Sequence, residues 1–104
     1  TGTGSTGVEP VAVSRLALAP VAPNPFRNGA QVRFDLPRTA KVRLSVLDLH
    51  GRVVGVLADG ELAAGRHTMR WDGRTRDGAA AAGVYFIELE AEGQRLVQRG
   101  VVLK

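Results

Sequence analysis

The side chains that could do chemistry in this sequence are few, and none stands in a catalytic spacing. The histidines are His50 and His67, and neither lies at a zinc-ligand spacing from another histidine. The serines, Ser5, Ser14 and Ser45, lie outside any nucleophile elbow of the G-x-S-x-G type. Cysteine is absent, which excludes a disulfide framework, a thiolate metal site and a cysteine nucleophile. The residue inventory therefore predicts a protein that is not an enzyme and that needs no cofactor.

A metal site has one weak candidate, the turn-rich run that follows the only tryptophan. Asp72 and Asp77 are the carboxylates in this run, and two arginines lie between them. Calcium takes about six to eight oxygen ligands, so this pair could supply only part of a site. The alternative is that the aspartates accept backbone hydrogen bonds while Gly73 and Gly78 take left-handed conformations. The pattern favours the second arrangement.

The two histidines have structural explanations as well. His67 alternates in sequence with Thr68 and Arg70 and so shares a strand face with Met69 and Trp71. This predicts a histidine at the core margin whose ring is hydrogen-bonded. His50 precedes a glycine, and we expect it to be a solvated turn residue.

Two runs of alternating apolar residues organise the rest of the chain. They are 65–71 and 84–90, and they contain the only Trp and the only Tyr. Further strands are predicted over 11–19, 32–36, 41–49, 52–57 and 95–103. About seven short strands separated by turn signals predict an all-β antiparallel sandwich. The predicted core comprises Phe26, Phe34, Leu44, Val46, Met69, Trp71, Tyr85, Ile87 and Leu89.

The connections give more local expectations. Leu47 and Leu49 turn to the outer face of their strand, which indicates a bulge or a second covered surface. His50-Gly51 suits a two-residue hairpin, and 61–64 is predicted as a loop or short helical turn. Gly100 suggests a bulge in the last strand. The proline-rich run 20–25 is expected to form an extended edge or a corner, with Phe26 closing one end of the core.

Composition limits the number of domains and the kinds of partner. The 104 residues are 44% hydrophobic, which predicts one domain; we expect a flexible Gly/Ser/Thr linker over 1–10 and the folded domain over 11–104. The formal net charge is +4, but the arginines are dispersed and few aromatics lie between them, so nucleic acid is not an expected partner. No run approaches the ~18 apolar residues of a membrane helix, and no signal peptide is visible.

Several motifs in a fixed order carry a family resemblance that covers about residues 11–104. The chain resembles the C-terminal immunoglobulin-like sorting domain of Type IX secretion substrates (type A). It is also similar to the immunoglobulin-like domain of flagellar hook-capping proteins, which shares the W-D-G and G-x-Y elements. The motifs are P-N-P-F at 23–26, V-R-L-S-V-L-D-L-H-G-R-V-V at 42–54, A-G-R-H-T-M-R-W-D-G-R at 64–74, A-G-V-Y-F at 82–86 and R-G-V-V-L-K at 99–104.

The resemblance implies an immunoglobulin-like or fibronectin-III-like sandwich in an exported bacterial protein, placed at the outer membrane, the cell surface or outside the cell. The first hypothesis is a non-enzymatic sorting or anchoring module that the outer-membrane secretion machinery recognises. Its recognition residues would be Gly100, Val101, Val102, Leu103 and Lys104. The alternative is an adhesion or self-assembly module, including a hook-capping-like domain, that associates with cell-surface components or with itself through strand edges.

Overall fold

The computed structural model describes residues 15–103, and this part of the chain is built from β-strands and turns. The strands are β1 (Ala17–Leu18), β2 (Ala30–Leu36), β3 (Ala40–Leu47), β4 (Val53–Leu62), β5 (Gly65–Trp71), β6 (Arg74–Thr75), β7 (Gly78–Ala79), β8 (Gly83–Ala91) and β9 (Gln94–Val102). Within these described residues, no helix is long and apolar enough to cross a membrane.

The strands form two main sheets and a small hairpin. The first sheet has the order β1-β2-β5, the second has the order β4-β3-β8-β9, and β6 pairs with β7. Every pairing between these strands is antiparallel. Apolar residues on the inner faces of the two sheets alternate with exposed polar ones, as in β2 and the first half of β3. The predicted all-β sandwich is confirmed.

The core lies between the two sheets and contains most of the apolar side chains predicted for it. Phe26 closes one end, and Met69 is half-buried at the margin of the core. Met69 is less buried than predicted because β5 is an edge strand, paired only with β2. The other predicted core residues are all buried: Phe34, Leu44, Val46, Trp71, Tyr85, Ile87 and Leu89.

Three aromatic rings connect the two sheets at one end of the sandwich. The Trp71 ring centroid lies 5.4 Å from that of Phe26 and 5.3 Å from that of Tyr85, and both contacts are edge-to-face. The polar atoms of this cluster are also satisfied: Trp71 Nε1 donates to the Arg74 carbonyl at 2.8 Å, and the Tyr85 hydroxyl donates to the Ala81 carbonyl at 2.9 Å. The second bond resembles the tyrosine corner of immunoglobulin-like sandwiches.

The proline-rich segment before β2 holds the end of the last strand. Asn24 accepts a hydrogen bond from the Val101 N–H at 2.9 Å and donates one to the Arg99 carbonyl at 3.0 Å. Phe26 N–H donates to the Val101 carbonyl, and Leu103 N–H donates to the Phe26 carbonyl. The free edge of β9 is therefore covered here. The segment bends at residues 23–25 between its isolated bridges to β2 and β9, so of the two expected forms it is the corner and not a continuous extended edge.

The hairpin between β3 and β4 differs from its predicted form at both ends of its turn. β3 ends at Leu47 instead of residue 49, because Asp48 Oδ1 accepts the N–H groups of His50 and Arg52 and starts the turn. Asp48 N–H also donates to the Arg52 carbonyl, so the connection has three residues, with Gly51 at φ 78°, and not two.

The predicted loop at 61–64 is wrong in its first half. β4 continues through Glu61 and Leu62 because Lys41 and Ala40 of β3 lie opposite them in the ladder. The bulges expected near Leu47 are confirmed, since the β3–β4 register shifts between Leu44 and Ser45 and again between Val46 and Leu47.

Two expectations about the first and last strands also need correction. The last strand has no bulge at Gly100, which pairs in register with Tyr85. Gly100 lies against Phe26 and Val21, whose nearest atoms would be in ordinary van der Waals contact with an added Cβ, at 3.7 and 3.8 Å. Within the described part of the predicted first strand, residues 15–19, the strand comprises Ala17–Leu18; residues 11–14 and the predicted linker 1–10 lie outside the described residues.

Replacement of Trp71 tests the aromatic cluster. We expect Trp71→Ala to lower the free energy of unfolding by ~3–5 kcal/mol, because it leaves a cavity between Phe26 and Tyr85. Trp71→Phe keeps an aromatic ring but removes the donor to the Arg74 carbonyl, and we expect a smaller loss of ~1–3 kcal/mol. Urea unfolding measures both changes. The exposed Thr68→Ala serves as control, and equal stability of all four proteins would contradict the assignment.

Replacement of Asn24 tests the contact with the last strand. Asn24→Ala leaves the Val101 N–H and the Arg99 carbonyl without this partner, and we expect a loss of ~1–3 kcal/mol. Hydrogen exchange should locate the effect, with faster exchange at the Val101 amide. Asn24→Asp keeps the acceptor for Val101 but loses the donor to Arg99, so it should preserve Val101 protection better. Gln31→Ala is the control, and an unchanged Val101 exchange rate in Asn24→Ala would refute the proposed contact.

Candidate functional site

The weak calcium candidates lie in the connection between β5 and β8, where one of them is engaged by the backbone. Asp72 Oδ1 accepts the Arg74 N–H at 3.0 Å, and Gly73 and Gly78 have φ values of 81° and 113°. Asp77 N–H donates to the Thr75 hydroxyl at 3.2 Å. Within residues 15–103, no group of three or more His, Asp or Glu side chains could hold a metal ion. This loop is arranged for turn formation.

Both histidines have the environments that their positions indicate. His67 is half-buried, its ring stacks on Phe34 with centroids 5.2 Å apart, and its Nε2 lies 2.7 Å from the Ala63 carbonyl oxygen. His50 is exposed in the turn after β3. In the part of the chain that the structure describes, neither histidine belongs to a group of histidine and acidic side chains that could hold a metal ion.

The turn that carries His50 is held by a carboxylate. Burial raises the pKa of Asp48, but the hydrogen bonds from the N–H groups of Arg52 and His50, together with the Arg52 side chain, outweigh burial and hold the pKa below its usual value. Arg52 Nε donates to Asp48 Oδ2 at 3.0 Å. Because the folded-state pKa is lowered, this turn contributes stability at neutral pH that is lost as the pH falls through that pKa.

The residues predicted for sorting form part of the sandwich. Gly100 and Val102 are buried, and Val101 and Leu103 are half-buried. The backbone of this strand pairs with β8 on one side and with Asn24 and Phe26 on the other. Lys104 lies outside the described residues. A partner could therefore read 100–103 as an extended peptide only after these contacts had opened.

The outer face of the four-stranded sheet has a different character. It consists of three rows of side chains that cross the strands in the order β4, β3, β8, β9, and we call this surface the outer face. The rows follow from the ladder registers. They are the charged row Asp59, Arg43, Glu90 and Arg95, the middle row Val56, Ser45, Glu88 and Val97, and the third row Val53, Leu47, Phe86 and Arg99.

Apolar side chains are concentrated on the outer face. Leu49, Val56 and Val97 are 66%, 42% and 51% exposed, and these are the large hydrophobic residues that the described chain leaves exposed. Val56 and Val97 lie in the middle row, and Leu49 lines a groove of about 220 Å³ together with Phe86 and Val97. An antiparallel sheet usually presents polar side chains to solvent. Exposed apolar side chains that gather on one face of a sheet indicate an interaction site.

An ion pair between a buried glutamate and an exposed arginine lies in the same groove. Glu88 is only 7% exposed, and its Oε2 accepts a hydrogen bond from Arg95 Nε. This hydrogen bond raises the pKa of the Arg95 guanidinium further. Ser45, beside Glu88 in the middle row, is 1% exposed. The groove is therefore lined by apolar side chains and by this ion pair, a combination that fits a partner with both kinds of group.

The opposite surface of the sandwich is polar. In the first sheet, Gln31 pairs with Arg70, Arg33 with Thr68 and Asp35 with Arg66, and Arg66 Nε donates to Asp35 at 3.1 Å. The contrast singles out the outer face of the second sheet. The sequence contains one sign of this surface, the outward turn of Leu47 and Leu49, but it does not show which strands lie beside β3.

Comparisons with known proteins give the relationship of this chain. The model of the FlgD Ig-like domain family matches residues 23–95, which is more than half of the chain. The basal-body rod modification protein FlgD of Salmonella typhimurium is 45% identical over 60 residues, which cover 55% of this chain and 26% of that protein. The protein of the same description from Salmonella typhi matches to the same extent. The chain thus spans about a quarter of the length of these relatives.

The two branches of the resemblance fare differently in these comparisons. The hook-capping branch is supported by the family match and by both relatives. Nothing found indicates a Type IX sorting domain. On its sandwich architecture and on the match over residues 23–95, the chain belongs to the FlgD Ig-like domain family.

Proposed function

We propose that this chain is a non-enzymatic assembly domain of an exported bacterial protein, comparable to the Ig-like domain of flagellar hook-capping proteins. The observation that carries the proposal is the family match over residues 23–95, together with the 45% identity to a basal-body rod modification protein. Its partners are other proteins of an extracellular or cell-surface assembly. In this function the sandwich supplies a rigid body and the outer face supplies the contact.

The structure also affects how the sorting hypothesis can be tested. Deletion of the last residues would remove part of β9, including the buried Gly100 and Val102. Such a deletion would unfold the domain whether or not the end of the chain is a signal. Conservative substitutions at the half-buried Leu103 and at Lys104 are needed instead, or a reporter fusion of the intact domain.

A chimera tests the assembly function. In the Salmonella typhimurium FlgD protein, the Ig-like domain would be replaced by residues 15–104 of this chain, and the chimera would be expressed in cells that lack their own copy. We expect swimming in soft agar to be restored to roughly a tenth or more of the native rate, since surface complementarity rather than sequence identity decides assembly. The same chimera carrying Trp71→Ala is the unfolded control. Normal cellular levels of the first chimera without any motility would count against the proposal.

A reporter fusion separates assembly from sorting. Residues 8–104 would be fused to the C-terminus of a periplasmic reporter enzyme in a host with Type IX secretion. The assembly function predicts that the reporter stays in the periplasm, because it requires no signal in the domain that this machinery would recognise. A sorting domain from the same host is the positive control. Release of the reporter to the medium, abolished by Lys104→Ala, would favour sorting over assembly.

A further inference from the structure

We propose that the outer face of the four-stranded sheet binds the outer face of a second copy, forming a symmetric face-to-face dimer. The inference deepens the proposed assembly function, on which it rests, by naming the partner. It replaces association through strand edges, the mode that the sequence suggested. Three properties of the outer face carry it: its apolar content, its pattern of charge and its symmetry.

The apolar content supplies the driving force. Leu49, Val56 and Val97, the large hydrophobic residues exposed in the described chain, all belong to the outer face or to the groove in it. Leu47 and Phe86 lie next to each other in the third row. Burying apolar surface is the dominant favourable contribution to most protein association. A second sandwich packed ~10 Å above the sheet would cover these side chains.

The charge pattern selects the partner. In the charged row the signs alternate across the sheet, from Asp59 on β4 to Arg43 on β3, Glu90 on β8 and Arg95 on β9. Read from the opposite end, the same row runs plus, minus, plus, minus. The row is therefore complementary to a reversed copy of itself, and a reversed copy is what a two-fold axis provides.

The axis that satisfies this pattern runs parallel to the strands, midway between the two copies and over the gap between β3 and β8. Rotation about it places β4 over β9 of the second copy and β3 over β8. Asp59 then faces Arg95 of the second copy, and Arg43 faces Glu90 of the second copy. Each of these contacts occurs twice in the dimer, so the charged row contributes four opposite-sign contacts and no like-charge one.

The remaining rows fit the same axis. Val56 faces Val97 of the second copy, so one apolar pair lies at each side of the interface, over the edge strands β4 and β9. Ser45 and Glu88 lie between these two pairs, next to the axis, but both are buried within their own chain, so the middle row contributes contacts only through its valines. In the third row Leu47 faces Phe86 of the second copy. The same rotation places Val53 opposite Arg99 of the second copy. Apolar contacts thus lie in the middle and third rows, and the charged row lies along one border of the interface.

Charge substitutions on the purified chain test the dimer. We expect light scattering at increasing concentration to show a dimer, and Arg43→Glu or Glu90→Arg alone to weaken it roughly tenfold or more, since each creates like charges across the axis. Mixing the two variants should restore dimers, because the two substituted side chains then face each other with opposite charges, as do the two native ones.

Arg33→Glu, on the opposite sheet, is the matched control. Thermal melting confirms that each variant is folded. A chain that is monomeric at all concentrations, or a dimer indifferent to Arg43→Glu, would overturn the proposal.

Cross-linking tests the geometry of the dimer. Because the native chain has no cysteine, only the introduced cysteines can react. Val56→Cys and Val97→Cys would be treated with a bis-maleimide that spans on the order of 10 Å. The axis brings residue 56 over residue 97, but it leaves two copies of residue 56 roughly 17 Å apart, as three strand spacings and one sheet spacing require. The mixture should cross-link and the single variants should not. Equal cross-linking of Val56→Cys alone would show a different mode of association and refute this axis.

These outcomes are independent of the chimera experiment. If the purified chain stays monomeric, the dimer proposal is wrong. The assembly function is then still tested separately, by the motility of cells that express the chimera. Conversely, a confirmed dimer with an inactive chimera would keep the interface and reject the comparison with the hook-capping domain.

Discussion

The packing of Trp71 between Phe26 and Tyr85 is the contact on which the rest of the structure depends. The three rings come from the segment before β2, from the end of β5 and from β8. This cluster therefore joins the first sheet, the second sheet and the segment 20–26. Since Trp71 Nε1 also donates to the Arg74 carbonyl, the same side chain determines how the chain turns into the β6–β7 hairpin. Phe26 in turn brings the backbone of its segment to β9. The fold closes around this cluster because each neighbour of the tryptophan has a second structural role.

The elements that the sequence predicts well are those whose information is local. Residues 65–71 alternate strictly between apolar and polar side chains, and such a strand has one possible buried face. The Glu92-Gly93 turn is of the same kind: both residues have positive φ, 53° and 72°, and the type I′ hairpin needs no distant partner. The prediction fails where a distant strand decides. Asp59-Gly60 has the composition of a turn, yet β4 continues through it because β3 offers Arg43 and Val42 opposite.

The same distinction explains what could be foreseen of the interaction surfaces. The last residues are candidates for recognition through the family resemblance alone, and the sequence does not reveal that Asn24, 77 positions away from Val101, bonds to its backbone. The outer face, by contrast, could not be predicted from the sequence. Val56 and Val97 are unremarkable in the sequence, and they reach one row only through the pairing of β4, β3, β8 and β9. Even that row depends on the bulge between Leu44 and Ser45, which turns Val56 outwards.

A face is a better contact than an edge in this sandwich, because the edges of the four-stranded sheet are already partly used. Along β9, Asn24 and Phe26 bond to the backbone of Arg99, Val101 and Leu103. Along β4, the Arg76 N–H donates to the Val54 carbonyl and brings the β6–β7 hairpin against the edge. Edge protection of this kind is a common means of preventing uncontrolled strand addition. A domain that covers part of the edges of this sheet and leaves a charge-alternating face with apolar side chains open can associate with a defined partner and stop at a dimer, because a two-fold contact consumes the surface that forms it.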